Sequence, residues 1–326
     1  MSKPVVLVTA ATVSELAQGL LRAGGADVTF MLGPIDENAL IAVLSEREVS
    51  AVLLRGSPPL TERVFAAARG LKIVAKHGAG VDSVDLASAN RHGIAVMVAG
   101  GANADAVAEH SLAMMLSLAR GLAHFDSQTR RGAWRDLNQF TRDFRTLTVG
   151  IVGYGQIGER TARLVQSCGA RVMIHTRSKI VPPAGMEIEP DLERLLSGVD
   201  ILSLHCPLTE KTRGMIGAAQ LARMKPGAFL INTARGPVID EAALVEALSS
   251  GRLAGAGLDT FATEPPDAAN PLFALPNVLV TPHIAAATTD AMMRMGTIAA
   301  NNIISYLRGE VYDSRNFLNP EAFKGA

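Results

Sequence analysis

With 326 residues, 48% of them hydrophobic and 19% charged, the chain is long enough for two ordinary domains with buried cores. Its 31 Lys and Arg balance 31 Asp and Glu, and the formal net charge of zero excludes an extended basic surface for nucleic acid or an anionic membrane. Cys168 and Cys206 lie far apart without metal-type spacing, which excludes a disulfide framework and reads as two core cysteines in a reducing compartment.

Pro4-Val-Val-Leu-Val-Thr9 is apolar over too short a run for a leader and lacks a basic flank and a cleavage site, so it predicts a first strand. No run reaches the length of a membrane span, and the expected location is the cytoplasm. Further β-branched runs predict strands over 28–32, 51–55, 73–76 and 94–98, enough for one small α/β domain. Gly100-Gly101 is a hinge candidate. A long amphipathic helix is expected over 103–124, with Asn103 as its N-cap and Met114 and Met115 as packing residues.

A second strand series starts at Leu147 and continues at 171–175, 200–205, 228–232, 255–259 and 278–281. Its first strand runs straight into Gly153-Tyr-Gly155-Gln-Ile-Gly158, a G-x-G-x-x-G turn opening a helix. Gly153 supplies the turn, Gly155 lets backbone approach a pyrophosphate, and Gly158 lets helix and strand pack closely, while the helix start at Gln156 and Ile157 faces the anion. Six strands make a complete dinucleotide-binding sheet. A last helix, from about 288 to 307, follows this series and can return to the first domain. The predicted fold is therefore α/β: a Rossmann-type, doubly wound parallel sheet (101–287) inserted into a smaller, flavodoxin-like α/β domain (1–100 plus 288–326).

About twenty residues past the glycines, NAD-binding sheets of this type place a carboxylate on the ribose hydroxyls. Thr176 stands there instead, followed by Arg177, Ser178 and Lys179. That local positive charge predicts NADP(H) in preference to NAD(H), since a 2′-phosphate gains charge-assisted hydrogen bonds there. A solvated basic loop that tolerates both cofactors is the alternative.

Ligands of open parallel sheets bind at the carboxyl ends of strands. Four such ends carry polar residues: His205-Cys-Pro-Leu-Thr-Glu-Lys-Thr212, Asn232-Thr-Ala-Arg-Gly236, Asp259-Thr-Phe-Ala-Thr-Glu-Pro265 and Thr281-Pro-His-Ile284. Cys206, Pro207, Thr212, Thr233 and Ala234 thereby become candidates for lining the cofactor. In this ordered set the chain, over 1–307, resembles the D-2-hydroxyacid dehydrogenase family, which includes phosphoglycerate dehydrogenase, glyoxylate and hydroxypyruvate reductases, D-lactate dehydrogenase and formate dehydrogenase.

The resemblance implies that Arg235 binds the substrate carboxylate, Glu264 is the catalytic glutamate and His283 the acid/base histidine. It further implies that the backbone of Gly78-Ala79-Gly80 binds the carboxylate as well, that Asp259 lies near the nicotinamide carboxamide and Val107 near the cofactor, and that the long helix and the segment near Trp134 form a homodimer. The residue types suit these tasks. A planar guanidinium holds a carboxylate bidentately, an imidazole gives and takes protons near neutrality, and a carboxylate beside it favours the imidazolium. The formate dehydrogenase branch has glutamine where Glu264 stands, which argues against formate.

Alternatives stay open for several positions. Asp259 can cap its own loop, Arg55 either binds an anionic substrate tail or caps its strand, and His77 and His205 either line the cleft or pack. His92, His110, His124 and His175 read as packing or surface residues, and no cluster has metal spacing. The expected activity is hydride exchange between a nicotinamide and a small 2-keto or 2-hydroxy acid, of glyoxylate or hydroxypyruvate type. A phosphoglycerate dehydrogenase and a nucleotide-sensing corepressor are the alternatives. Neither nucleic acid nor membrane is an expected partner.

Overall fold

The computed structural model describes residues 3–310 and 313–320. They fall into two units, one within Met1–Asn103 and Ala287–Ala326, the other Ala104–Ala286. The first begins β1 (Val5–Val8), α1 (Glu15–Ala23), β2 (Asp27–Phe30), α2 (Glu37–Glu46), β3 (Ala51–Leu54), α3 (Glu62–Ala67), β4 (Ile73–Lys76), α4 (Leu86–Arg91) and β5 (Ala95–Val98). All five strands are parallel in the order β2-β1-β3-β4-β5, the flavodoxin-like winding. Strands buried on both faces need near-continuous apolar runs, and β1, β3, β5 and β4 up to its last residue, Lys76, supply them. Val6, Val8, Leu53, Ala75 and Met97 face one side and Leu7, Val52, Leu54, Val74 and Val96 the other. Each Val, Leu or Met among them contributes roughly 1.5–3 kcal/mol on full burial.

The second unit continues with α5 (Ala104–Arg120), α6 (Leu122–Arg130), β6 (Thr148–Val152), α7 (Gln156–Ser167), β7 (Arg171–His175), β8 (Met186–Ile188) and α8 (Leu192–Gly198). It is completed by β9 (Ile201–Leu204), α9 (Ala218–Arg223), β10 (Ala228–Asn232), α10 (Glu241–Ser249), β11 (Leu253–Leu258) and β12 (Val278–Val280). Its parallel sheet runs β12-β11-β10-β9-β6-β7-β8, so the winding reverses between β6 and β9. One face packs on α5 and α7 through Met114, Met115, Ala162 and Val165, and the other on α8, α9 and α10 through Leu195, Leu221 and Leu244. The last helix, α11 (Thr289–Arg308), belongs to the first unit and packs on α1 and β4. Among the described residues, no helix is long and apolar enough to cross a membrane.

Four expectations need correction. The second sheet has seven strands rather than six, because Met186-Glu-Ile188 pairs with β7 at the edge. The expected 103–124 helix is two helices: Gly121 turns left-handed at φ 60 and restarts the chain as α6. Asn103 caps nothing, and its buried Oδ1 has no hydrogen-bond partner. Cys168, expected in the core, is exposed at the end of α7, while Cys206 is half-buried.

Candidate active site

β10, β11 and β12 are sheet neighbours, so their carboxyl ends lie side by side and collect residues that the sequence keeps apart. Asn232, fully buried, shapes the turn after β10: its Oδ1 accepts the Ala234 N–H at 3.0 Å and its Nδ2 donates to the Arg235 carbonyl at 2.9 Å. Arg235, half-buried, leaves this turn with Nη1 donating to the Ala234 carbonyl at 2.6 Å. Gly236 must follow it, since a Cβ there would stand 1.9 Å from the Phe261 carbonyl carbon. The Arg235 turn is thus pressed onto the backbone of the loop that carries Glu264.

That loop is held from two sides. Glu264 Oε1 accepts the Phe261 N–H at 3.0 Å, and Glu241, at the start of α10, accepts the Ala262 N–H at 3.0 Å and Asn270 Nδ2 at 2.7 Å. Glu264 Oε2 then meets His283 Nδ1 at 2.7 Å. The contact raises the His283 pKa above its ordinary value, against the opposing effects of burial and of the Arg235 charge. For Glu264, burial pushes the pKa upward, but the bonds from His283 and Phe261 and the charges of His283 and Arg235 outweigh it, and the carboxyl lies below its ordinary value. Both directions describe an ion pair, with a side-chain exposure of 47% at His283 and 36% at Glu264 that keeps it open to solvent.

His283 has φ 50, the left-handed conformation, which no other described non-glycine residue adopts. For a residue with a Cβ this costs roughly 1 kcal/mol or more, so something must hold the loop. Asp259, 1% exposed, does so: Oδ1 accepts the Thr281 hydroxyl at 2.6 Å and the Ile284 N–H at 2.8 Å, and Oδ2 accepts the Ala285 N–H at 2.9 Å. Asp259 is therefore a clamp on the histidine loop. Thr281 in turn meets His110 Nε2 of α5 at 3.0 Å, so His110, read from the sequence as packing or surface, belongs to this cluster. One residue on, Ser111 donates to the Val107 carbonyl at 2.8 Å and meets the Thr233 hydroxyl at 2.8 Å.

At the winding reversal, Gly153 has φ 94, and a Cβ on it would lie 2.7 Å from the His205 backbone. A Cβ on Gly158 would lie 2.0 Å from the Gly153 carbonyl oxygen, whereas one on exposed Gly155 would meet nothing within 4 Å. Gly155 stands at the N-cap of α7 without a side-chain cap. The turn is packed behind and open in front, with an uncapped helix start, and it fits a dinucleotide pyrophosphate. Gly153 N–H bonds the His175 carbonyl at 2.9 Å, which sets Thr176, Arg177 and Ser178 beside the turn. Arg177 and Ser178 are exposed; Thr176 Oγ1 accepts the Ser178 N–H at 3.2 Å. Thr212 is buried and donates to the Pro207 carbonyl at 2.7 Å, so its hydroxyl shapes the 207–212 loop.

Burial pushes the pKa of His205 to about 4, and its Nε2 bonds Ser203 at 2.9 Å, so it is neutral at pH 7. Burial also raises the Cys206 thiol and leaves it inert. In the first unit, burial, assisted by the Arg55 charge, pushes His77 to about 4. Neither histidine competes with His283 as an acid near neutrality. Arg55 donates to the Thr12 carbonyl at 3.0 Å and its backbone N–H to Thr9 at 3.0 Å, a bracing role. Lys76 Nζ ties the Gly56 carbonyl at 2.8 Å to the Ser83 hydroxyl at 3.0 Å, enclosing Gly78-Ala79-Gly80. Gly78 has φ 144, and its carbonyl accepts the Ala99 N–H at 2.9 Å. No group of three or more His, Cys, Asp or Glu among the described residues is placed to hold a metal ion.

Residues 112–285 match the model of the D-isomer specific 2-hydroxyacid dehydrogenase NAD binding domain. The chain is 38% identical over 285 residues to a glyoxylate reductase of Korarchaeum cryptofilum, covering 85% of each. It is 34% identical to a D-3-phosphoglycerate dehydrogenase of Archaeoglobus fulgidus over 93% of this chain, but spans only 57% of that relative's length. The crystal structure of the TT0316 protein of Thermus thermophilus superposes with a TM-score of 0.88 at 35% identity, over 96% of this chain and 99% of that one. Fold, strand-end residues and relatives agree: the chain belongs to the D-isomer specific 2-hydroxyacid dehydrogenase family.

Proposed function

We propose that the protein is an NADP(H)-preferring 2-keto acid reductase of glyoxylate or hydroxypyruvate type. The observation that carries this reading is the 2.7 Å His283–Glu264 pair beside the Arg235 turn. Arg235 holds the substrate carboxylate and polarises the adjacent carbonyl. A nicotinamide cofactor held at the Gly153–Gly158 turn would provide the hydride chemistry at C2, donating in reduction and accepting in oxidation. His283, as imidazolium, gives its proton to the C2 oxygen, which becomes the hydroxyl of the product; in the reverse direction the neutral ring takes that proton. Glu264 stabilises the imidazolium and fixes the ring, since Nδ1 is committed to it and Nε2 is the nitrogen left for the substrate.

The cofactor is held at Gly153, Gly155, Gln156, Ile157 and Gly158, and lined by Val107, Cys206, Pro207, Thr233, Ala234 and Asp259. Exposed Arg177, with Thr176 and Ser178, supports the NADP(H) preference, since no carboxylate stands there to repel a 2′-phosphate. Phosphoglycerate dehydrogenase is the second reading, favoured by the relative from Archaeoglobus fulgidus and by the half-exposed guanidinium of Arg55. Initial rates with NADPH and NADH against glyoxylate, hydroxypyruvate, pyruvate, phenylpyruvate and 3-phosphohydroxypyruvate test both readings. The expected result is higher kcat/KM with NADPH, and with glyoxylate or hydroxypyruvate. Equal or better efficiency with NADH removes the cofactor preference, and a maximum at 3-phosphohydroxypyruvate replaces the substrate reading.

We further propose a homodimer formed through α5, α6 and the segment after them. Trp134 is 83% exposed and Phe140 87%, a large apolar surface for a free monomer.

A further inference from the structure

The His283 loop is gripped by Asp259, yet Asp259 is itself reached from outside the strand ends. Thr281 donates its hydroxyl proton to Asp259 Oδ1 at 2.6 Å, which leaves its oxygen as an acceptor. The group that meets that oxygen is His110 Nε2 at 3.0 Å, a ring three-quarters shielded on α5, with the same nitrogen 3.8 Å from Asp259 Oδ1. Because Asp259 takes the only hydroxyl proton, the bond forms only when His110 carries its proton on Nε2. The direction of every bond in the line His110 to Thr281 to Asp259 is thereby fixed. α5 lies across β10 and β11, with Gly257 admitting Met114 at 3.1 Å from where a Cβ would stand, so the helix packs close against the strands it braces.

We infer that His110 is a positioning residue for the reaction: through Thr281 and Asp259 it holds the 281–285 loop so that His283 keeps its left-handed backbone and its ring stays on Glu264. His110 touches neither His283 nor Glu264. The inference rests on His283 being the acid/base group, and it adds a part that the strand-end motifs do not contain. Asp259 follows β11 and Thr281 follows β12, side by side at the carboxyl ends of the pair; the helix supplies the third point, which stops the loop from rotating about the other two.

The test is a set of variants, His110→Ala, His110→Gln, Thr281→Val, Thr281→Ser and the double His110→Ala with Thr281→Val, assayed for 2-keto acid reduction and checked for thermal stability. A loop displaced from its productive geometry loses on the order of tenfold to 100-fold in kcat. That loss is expected in His110→Ala and Thr281→Val, with the KM for NADPH and for the keto acid within about twofold of wild type, as a loss confined to the transition state requires. His110→Gln, whose amide nitrogen reaches the Nε2 position, and Thr281→Ser are expected to restore most of kcat. The double variant is expected to fall no further than the worse single one. The His283 ring signals in isotope-labelled protein are expected to move in the His110→Ala and Thr281→Val variants and to return in His110→Gln and Thr281→Ser. Losses that multiply in the double variant, a His110→Gln variant no better than His110→Ala, a rise in the KM for NADPH alone, or unmoved His283 signals each overturn the inference. If the wild-type chain reduces no keto acid while its His283 signals still follow His110, the positioning stands and the catalytic reading of His283 fails.

Discussion

At the scale of single residues, the ion pair between His283 and Glu264 makes a prediction with a definite sign. The His283 pKa is raised first by its hydrogen bond to Glu264, with burial opposing. With His283 as the proposed proton donor, reduction needs the protonated ring, so activity is expected to persist to higher pH than an unperturbed imidazole allows and to be lost as pH rises through the raised pKa. Glu264→Gln removes the charge and the strong acceptor, so the falling limb of the reduction profile is expected to move to lower pH. The rising limb of the oxidation profile moves the same way, because the neutral ring becomes available earlier. A pH–rate series on both directions checks this, and unchanged limbs remove the electrostatic role of Glu264. Arg235, Glu264 and His283 can be singled out in the sequence because each sits in a short strand-end motif whose neighbours are dictated by turn geometry, and the sheet order brings those three motifs to adjoining strand ends. His110 cannot, since its partner Thr281 lies 171 positions away and nothing in an amphipathic helix marks which polar residue will meet a distant loop. Asp259 is half legible: a buried acid at a strand end is visible, but the three bonds that turn it toward the 281–285 loop are not.

At the scale of elements, the strand–turn–helix of β6 and α7 separates two kinds of glycine. A Cβ on Gly158 would stand 2.0 Å from the Gly153 carbonyl oxygen, an overlap that only backbone movement relieves. Gly158→Ala is therefore expected to lower stability by about 1–3 kcal/mol and to disturb cofactor binding as a consequence. Gly155 has φ −87 and open space at its Cβ position, so Ala enters without strain. Gly155→Ala is expected to melt like wild type but to raise the KM for NADPH about tenfold or more, because its methyl occupies the space in front of the uncapped helix. Melting curves and cofactor titrations of the two variants separate the cases; a Gly155→Ala protein that binds NADPH like wild type means the pyrophosphate lies elsewhere. The same element scale shows where pattern reading stops. The inner strands of both sheets are legible because burial on both faces demands nearly unbroken apolar runs. β8 is missed because three residues, one of them Glu187, follow a Pro-Pro-Ala-Gly turn and make no run at all. The break between α5 and α6 is missed because the apolar spacing continues through Gly121, and only its left-handed backbone, packed against Phe125, redirects the chain.

For the whole molecule, the charge balance and the apolar surface bear on association together. With 31 basic and 31 acidic residues, no net charge repels one copy from another near neutral pH. Leu122 at 58% exposure, Trp134 at 83%, Leu137 at 73% and Phe140 at 87% all belong to α6 and the segment that follows it, in the second unit. Scattered exposed apolar residues are ordinary, but four large ones within nineteen positions, two of them aromatic, concentrate surface whose burial contributes roughly 1.5–3 kcal/mol per side chain. A twofold arrangement counts every such residue twice, once from each copy, which is why a modest patch suffices for a dimer. Sedimentation equilibrium at micromolar concentration is expected to give twice the mass of the chain. Trp134→Glu combined with Phe140→Glu places four carboxylates in the dimer contact and is expected to give the single-chain mass while leaving the melting of each unit's core unchanged. These positions lie outside the Arg235, Glu264 and His283 turns, so the variant also separates association from chemistry: retained kcat in a monomeric variant assigns the site to one chain. A wild type that sediments as a single chain, or a double variant that remains dimeric, rules out this surface as the contact.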